Sequence, residues 1–136
     1  MDNEYFPTKK LTSIPLFESI HAGFPSPATD DLKSEMSIED YMIDNPNSTI
    51  MLKVKWDSMI DAGIREWDII VVDKARKHQI GDIVVAIIDG DYTVKYLQKD
   101  KTHNYYLSAG NPEYDDIYPK DDLEIFGVVL SSFRRY

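Results

Sequence analysis

The chain contains no cysteine, which excludes disulfide bridges and any metal site built on thiolates. Histidine is scarce as well. His21, His78 and His103 stand far apart with no ligand spacing, so they read as surface or structural residues, and neither a metal nor a cofactor is expected. Positive charge is in the minority: 15 Lys and Arg face 24 Asp and Glu, for a net charge of −9. Phosphate contacts rest on Lys and Arg, so this balance argues against direct, sequence-specific DNA binding. Work near DNA is expected to go through a protein partner. No apolar run approaches the ~18 residues of a membrane span, and Met1 to Ser13 lacks the apolar core of a secretion signal. A cytoplasmic protein without membrane association is the expectation.

What is present suits one domain plus an arm. The 136 residues are 43% hydrophobic and 12% aromatic, enough to bury a core. Residues 1–13 read as a flexible leader, and Ile14-Pro15-Leu16-Phe17 as a short apolar stretch suited to an edge strand. In His21-Ala22-Gly23-Phe24-Pro25-Ser26-Pro27-Ala28, two prolines around a serine rule out a helix interior or a central strand. That segment is expected to be extended and accessible, and composition alone makes it a linker. Residues 29–36 are polar and charged. Ser37 with Asp40 forms a capping-box pattern for one short helix, on which Ile38, Tyr41 and Met42 share a face. Asn45-Pro46-Asn47 stops it, because the residue before a proline avoids the helical region. The expected organisation is an N-terminal arm over 1–48 and a β domain over 49–136.

From Thr49 onward the pattern is β. Ile50, Leu52, Val54 and Trp56 alternate with Met51, Lys53 and Lys55, as in a half-buried strand. Short apolar runs follow at 68–73 and 82–89, and Asp89-Gly90 is a strong turn dipeptide leading into Tyr92 to Leu97. Asn104 to Leu107 and Leu123 to Leu130 read as later strands. The fold class is therefore mainly β: a compact, strongly bent sheet body with an extended N-terminal arm and one short helix.

Two residues invite a chemical reading. Ser58 stands where a strand pattern ends and a turn begins; a serine there caps the turn with its hydroxyl, or acts as a nucleophile if a base is near. No histidine is placed for that task. Lys95, in Tyr92-Thr93-Val94-Lys95-Tyr96-Leu97, shares a strand face with Thr93 and Leu97. It is either a solvated surface lysine or, desolvated and neutral, the base of a Ser-Lys dyad. The run Glu113, Asp115, Asp116, Asp121, Asp122 and Glu124 matches no calcium-loop spacing and reads as a solvated loop.

Blocks of sequence carry a resemblance. Asp57-Ser58-Met59, Asp68 to Asp73, Gly81 to Ala86 and Thr93-Val94-Lys95 resemble, in order, the signature blocks of LexA-type self-cleaving Ser-Lys peptidases. Pro15-Leu16-Phe17 and Gly23 to Ala28 are similar to the UmuD-like branch. The resemblance covers Ile14 to Val129 and implies the LexA/signal-peptidase-like β domain. It implies Ser58 as nucleophile, Lys95 as general base and Ala22-Gly23 as the self-cleaved bond. It further implies a homodimer, cleavage stimulated by the RecA–single-stranded-DNA filament, and a processed form joined to a UmuC-type Y-family DNA polymerase for translesion synthesis in the SOS response. Trp56 departs from the pattern, since UmuD-like chains commonly carry a small residue there. The alternative expectation is accordingly a non-cleaving regulatory module whose dyad is impaired by Trp56. A free-standing signal peptidase shares such blocks but carries a membrane anchor, for which no run here is long enough.

Overall fold

The structure, a computed structural model, describes residues 12–17 and 32–136. The Ala22-Gly23 bond, His21 and the Pro25-Ser26-Pro27 stretch lie outside the described residues. The chain divides into two compact units, one ending at Met42 and one beginning at Ile43.

In the first unit, β1 (Ser13–Phe17) pairs antiparallel with β2 (Leu32–Ser37), Ser13 opposite Ser37 and Phe17 opposite Leu32. The apolar stretch at 14–17 thus forms a strand, as its composition suggests. Its partner is a surprise. Leu32–Ser37 has too little apolar alternation to read as a strand by itself, and its extended form comes from pairing with β1. The short helix α1 (Ile38–Met42) follows at once, and the Asp40 N–H donates to Ser37 Oγ at 3.5 Å, the long form of the expected cap.

The second unit is a six-stranded antiparallel sheet. Its strands are β3 (Thr49–Lys53), β4 (Ile69–Asp73), β5 (Ile83–Ile88), β6 (Asp91–Lys99), β7 (Tyr105–Ser108) and β8 (Leu123–Phe133). They lie in the order β3-β4-β8-β5-β6-β7, so the last strand in sequence is third in space. The expected strands recur within a few residues, except that β3 stops at Lys53, before Trp56, and β8 runs on to Phe133. The Asp89-Gly90 turn closes β5 onto β6 with φ of 49° and 91°, the two positive values a type I′ turn requires.

The sheet bends at β8. Register shifts opposite Val71/Val72 and Val85/Ala86 leave Leu130 and Phe126 without a direct partner, and each extra residue adds bend and twist. Gly127 sits between these bulges. A Cβ there would stand 2.6 Å from Val72 Cγ1 and 3.0 Å from the Asp73 carbonyl oxygen, so no side chain fits without displacement. Both faces of the sheet are covered. Val84, Ala86 and Ile88 pack with Leu97, Leu107 and Val128 on one side, while Val85 joins Ile70, Val72 and Met59 on the other. Two-sided burial explains why β4 and β5 read as unbroken apolar runs.

Candidate active site

Ser58 lies in the turn that follows β3. Val54 continues the pairing beyond the strand: its N–H donates to Asp68 O at 2.8 Å, and its carbonyl accepts from the Trp67 N–H at 2.7 Å. The chain then turns over Asp57–Ile60, with the Ile60 N–H donating to Asp57 O at 3.3 Å, and enters a short 3₁₀ segment (Ile60–Ala62). Gly63, at φ 83°, ends that segment in the left-handed conformation natural to glycine. Met59 is 1% exposed, so the residue after Ser58 is anchored in the core. Among the described residues, the N–H groups of Ser58 and Met59 have no hydrogen-bond acceptor, as is usual for the central residues of a tight turn.

Lys95 comes from β6, where it faces Val84 of β5. Its side chain is buried, and its Nζ donates to Ser58 Oγ at 3.1 Å and to Thr93 Oγ1 at 2.6 Å. The Tyr114 ring centroid lies 6.0 Å from Nζ, and no carboxylate pairs with the amine among the described residues. Burial without a counter-charge disfavours the ammonium and holds Lys95 below the ordinary lysine pKa. An amine so placed within hydrogen-bond reach of a hydroxyl can take its proton. Ser58 and Lys95 open into a cleft of about 620 Å³, bounded by Leu52 to Trp56 on one side and Tyr92 to Lys95 on the other.

Comparison with known proteins places the chain in a family. The Peptidase S24-like family pattern matches residues 15–130, which takes in part of the first unit, most of the second and every residue of the site just described. The chain belongs to that family. It is 42% identical to Protein ImpA of Salmonella typhimurium over 122 residues, covering 89% of this chain and 83% of ImpA. It is 44% identical to Protein SamA of the same species over 125 residues, covering 91% and 87%. A LexA repressor from Carboxydothermus hydrogenoformans is 36% identical over 129 residues, which is 94% of this chain and 63% of the repressor. This chain is thus a UmuD-like member of the LexA-type peptidases. No helix among the described residues is long and apolar enough to cross a membrane, and none of them form a cluster suited to a metal ion.

In this S24 chain Trp56 lines the cleft but does not fill it. The residue is 64% exposed, and Lys55 Nζ stands 5.3 Å from its ring centroid. Its backbone is the unusual part: φ is 73°, in the left-handed region that disfavours side chains. A small residue at this position therefore answers a need of the backbone as much as of the cleft. Trp67, the other tryptophan, also has φ 73°. It occupies the first position of a bulge opposite Val54, where glycine is usual.

Some neighbours of the pair were not foreseen from sequence. Strand period alone puts Thr93 on the face of Lys95 and assigns it no role. Asn111 and Tyr114 gave no signal, because their partner Asp57 lies more than fifty residues back. Asn111 Nδ2 donates to Asp57 O at 3.0 Å, and Tyr114 OH donates to Asp57 Oδ1 at 2.6 Å.

Proposed function

We propose that the protein is an SOS mutagenesis protein that cleaves itself at Ala22-Gly23, with Ser58 as nucleophile and Lys95 as general base. The observation that carries this reading is the buried Lys95 amine, 3.1 Å from Ser58 Oγ and without a carboxylate partner among the described residues. In the proposed reaction residues 1–48 act as the arm and residues 49–136 as the peptidase domain. Neutral Lys95 takes the Ser58 proton, and the oxygen attacks the Ala22 carbonyl. The N–H groups of Ser58 and Met59, which have no acceptor among the described residues, stabilise the oxyanion. The tetrahedral adduct collapses by breaking the Ala22–Gly23 bond, and Lys95 returns its proton to the Gly23 nitrogen. Water, deprotonated by Lys95, then releases residues 1–22 from Ser58, leaving 23–136 as the processed form. Small residues at the bond suit close approach to a serine set in a cleft.

The processed form acts as the accessory subunit of a translesion DNA polymerase of the polymerase V type. It works as a cytoplasmic homodimer that associates with a UmuC-type Y-family polymerase, after cleavage stimulated by the RecA–single-stranded-DNA filament. Similarity to ImpA, SamA and LexA repressors supports this assignment, and the acidic charge agrees with reaching DNA through partners.

A second reading rests on Trp56, whose indole borders the cleft. There the chain is a regulatory module on the same fold that does not cut itself efficiently. Incubation of purified protein at alkaline pH, followed by a gel, separates the two. Conversion to a 23–136 fragment that is lost in Ser58→Ala and Lys95→Ala supports self-cleavage. An intact band, even with activated RecA filament, supports the module.

A further inference from the structure

Asp57 precedes the proposed nucleophile, and the loop after β7 holds it at two points. Its carbonyl oxygen accepts from Asn111 Nδ2 at 3.0 Å, and its carboxylate accepts from Tyr114 OH at 2.6 Å. The loop is itself braced. Asn111 is 7% exposed, and its Oδ1 accepts from the Glu113 N–H at 3.0 Å, so the amide has little freedom to turn. Gly110 bonds the far side of the same turn, its N–H donating to Met59 Sδ at 3.2 Å and its carbonyl accepting from the Asp61 N–H at 2.7 Å.

A trans peptide is planar, with its C=O and the following N–H on opposite edges. Fixing the Asp57 carbonyl on Asn111 therefore fixes the Ser58 N–H on the other edge of that plane. No described residue accepts from this N–H. Without the Asn111 amide, the Asp57 carbonyl keeps, among the described residues, only the Ile60 N–H at 3.3 Å, a weak restraint for a peptide plane.

Resting on the reading of Ser58 as nucleophile, we propose that Asn111 and Tyr114 are positioning residues. By gripping the carbonyl and the carboxylate of Asp57, they set the Asp57–Ser58 peptide plane so that the Ser58 N–H serves as an oxyanion donor. Neither residue touches the reacting atoms; both act through Asp57. Tyr114 carries a second duty, since its ring borders the cleft near Lys95.

Two readouts test this on the full chain: self-cleavage across a pH range, and phosphonylation of Ser58 by a small fluorophosphonate. In the second, Ser58 Oγ bonds to phosphorus, fluoride leaves, and the hydroxyl proton passes to Lys95, with no part for the arm. Asn111→Ala should lower the plateau of both rates by about 10²-fold, the scale of losing one oxyanion donor. The pH midpoint should stay in place, because Lys95 keeps its surroundings. Asn111→Asp, which keeps the acceptor for Glu113 but loses the donor to Asp57, should fall as far with native circular dichroism. Tyr114→Phe, which keeps the ring but loses the hydroxyl, should fall less and also keep its midpoint. Wild-type rates in folded Asn111→Asp overturn the proposal, and so does a loss seen only as a moved pH midpoint or a melted fold. If the wild type takes phosphonate at Ser58, slowed by Asn111→Asp, yet never cuts itself, the positioning role stands and self-cleavage falls. A wild type that neither takes the phosphonate nor cuts itself overturns both.

Discussion

Ser58 and Lys95, 37 positions apart in sequence, meet at 3.1 Å although the strand that leads to Ser58 and the strand that carries Lys95 are far apart in the sheet order. Three strands, β4, β8 and β5, separate β3 from β6. In a flat sheet, four spacings of about 4.8 Å would hold β3 and β6 roughly 19 Å apart. Ser58 covers part of that span from the turn beyond β3, and the two bulges of β8 add bend and twist between the halves of the sheet.

Lys95 sets the first prediction. Desolvation lowers its pKa in the folded chain below the ordinary value of 10.5. If the neutral amine is the base, the self-cleavage rate should rise with pH along a single ionisation whose midpoint lies below that value. The linked stability runs the same way. The unfolded chain holds the proton more tightly, so the penalty for burying an ammonium is present at neutral pH. It is relieved as pH rises through the folded pKa. Lys95→Met should accordingly raise the urea midpoint at neutral pH and give less advantage in alkali; an equal advantage at both would contradict a desolvated amine.

Trp56 sets the second. Its left-handed backbone stores about 1 kcal/mol or more of strain, and the exposed indole has little burial to lose. Trp56→Gly should stabilise the fold by about 1 kcal/mol, whereas Trp56→Ala, which keeps a Cβ, should not. Urea titrations of the two variants decide between backbone and bulk. Equal effects would show that the indole, not φ, is what matters.

Gly127 sets the third. A methyl group there meets Val72 Cγ1 and the Asp73 carbonyl, so Gly127→Ala should destabilise the fold by about 2 kcal/mol, as overpacking does. Because the bulges set the bend, phosphonylation of Ser58 should also slow in molecules that remain folded. Thermal melts and labelling rates measured on one sample provide the check.

Arg134 sets the fourth. Its guanidinium binds Asp68 in a two-pronged pair, Nε to Oδ1 at 2.8 Å and Nη2 to Oδ2 at 2.9 Å, and also reaches the Gly63 carbonyl at 3.0 Å. Asp68 is 2% exposed, and its carboxyl is held below the ordinary range chiefly by the Arg134 hydrogen bonds. Its contribution is present above the unfolded carboxyl pKa and is lost as pH falls through the folded one. Arg134→Gln should lower the melting temperature by several degrees at neutral pH. The gap to wild type should narrow in acid, where Asp68 protonates in both; a gap independent of pH would point to lost packing instead.

Much of the body was legible in the sequence because its signals are local. The apolar runs of β4 and β5, the Asp89-Gly90 turn and the alternation into Leu52 each report a neighbourhood of a few residues. Ser58 and Lys95 were legible as a pair only through ordered blocks of family resemblance, since neither residue alone separates a cap or a surface lysine from a dyad. Strand β2 was hidden because its pairing is supplied by β1 rather than by its own pattern. The Asp57–Asn111–Tyr114 contacts were hidden by sequence distance. The left-handed backbones of Trp56 and Trp67 were hidden because nothing in a tryptophan announces a positive φ.

The position of β8 has a consequence in time. It is the seam of the sheet, joining β3–β4 to β5–β6–β7 by backbone pairing, and among the described strands it comes last in sequence. A nascent chain that has not yet reached Leu123 possesses Ser58 and Lys95 but lacks the strand that stitches their two halves together. The pair is therefore expected to come together only after Leu123–Phe133 has been made and has paired with both β4 and β5.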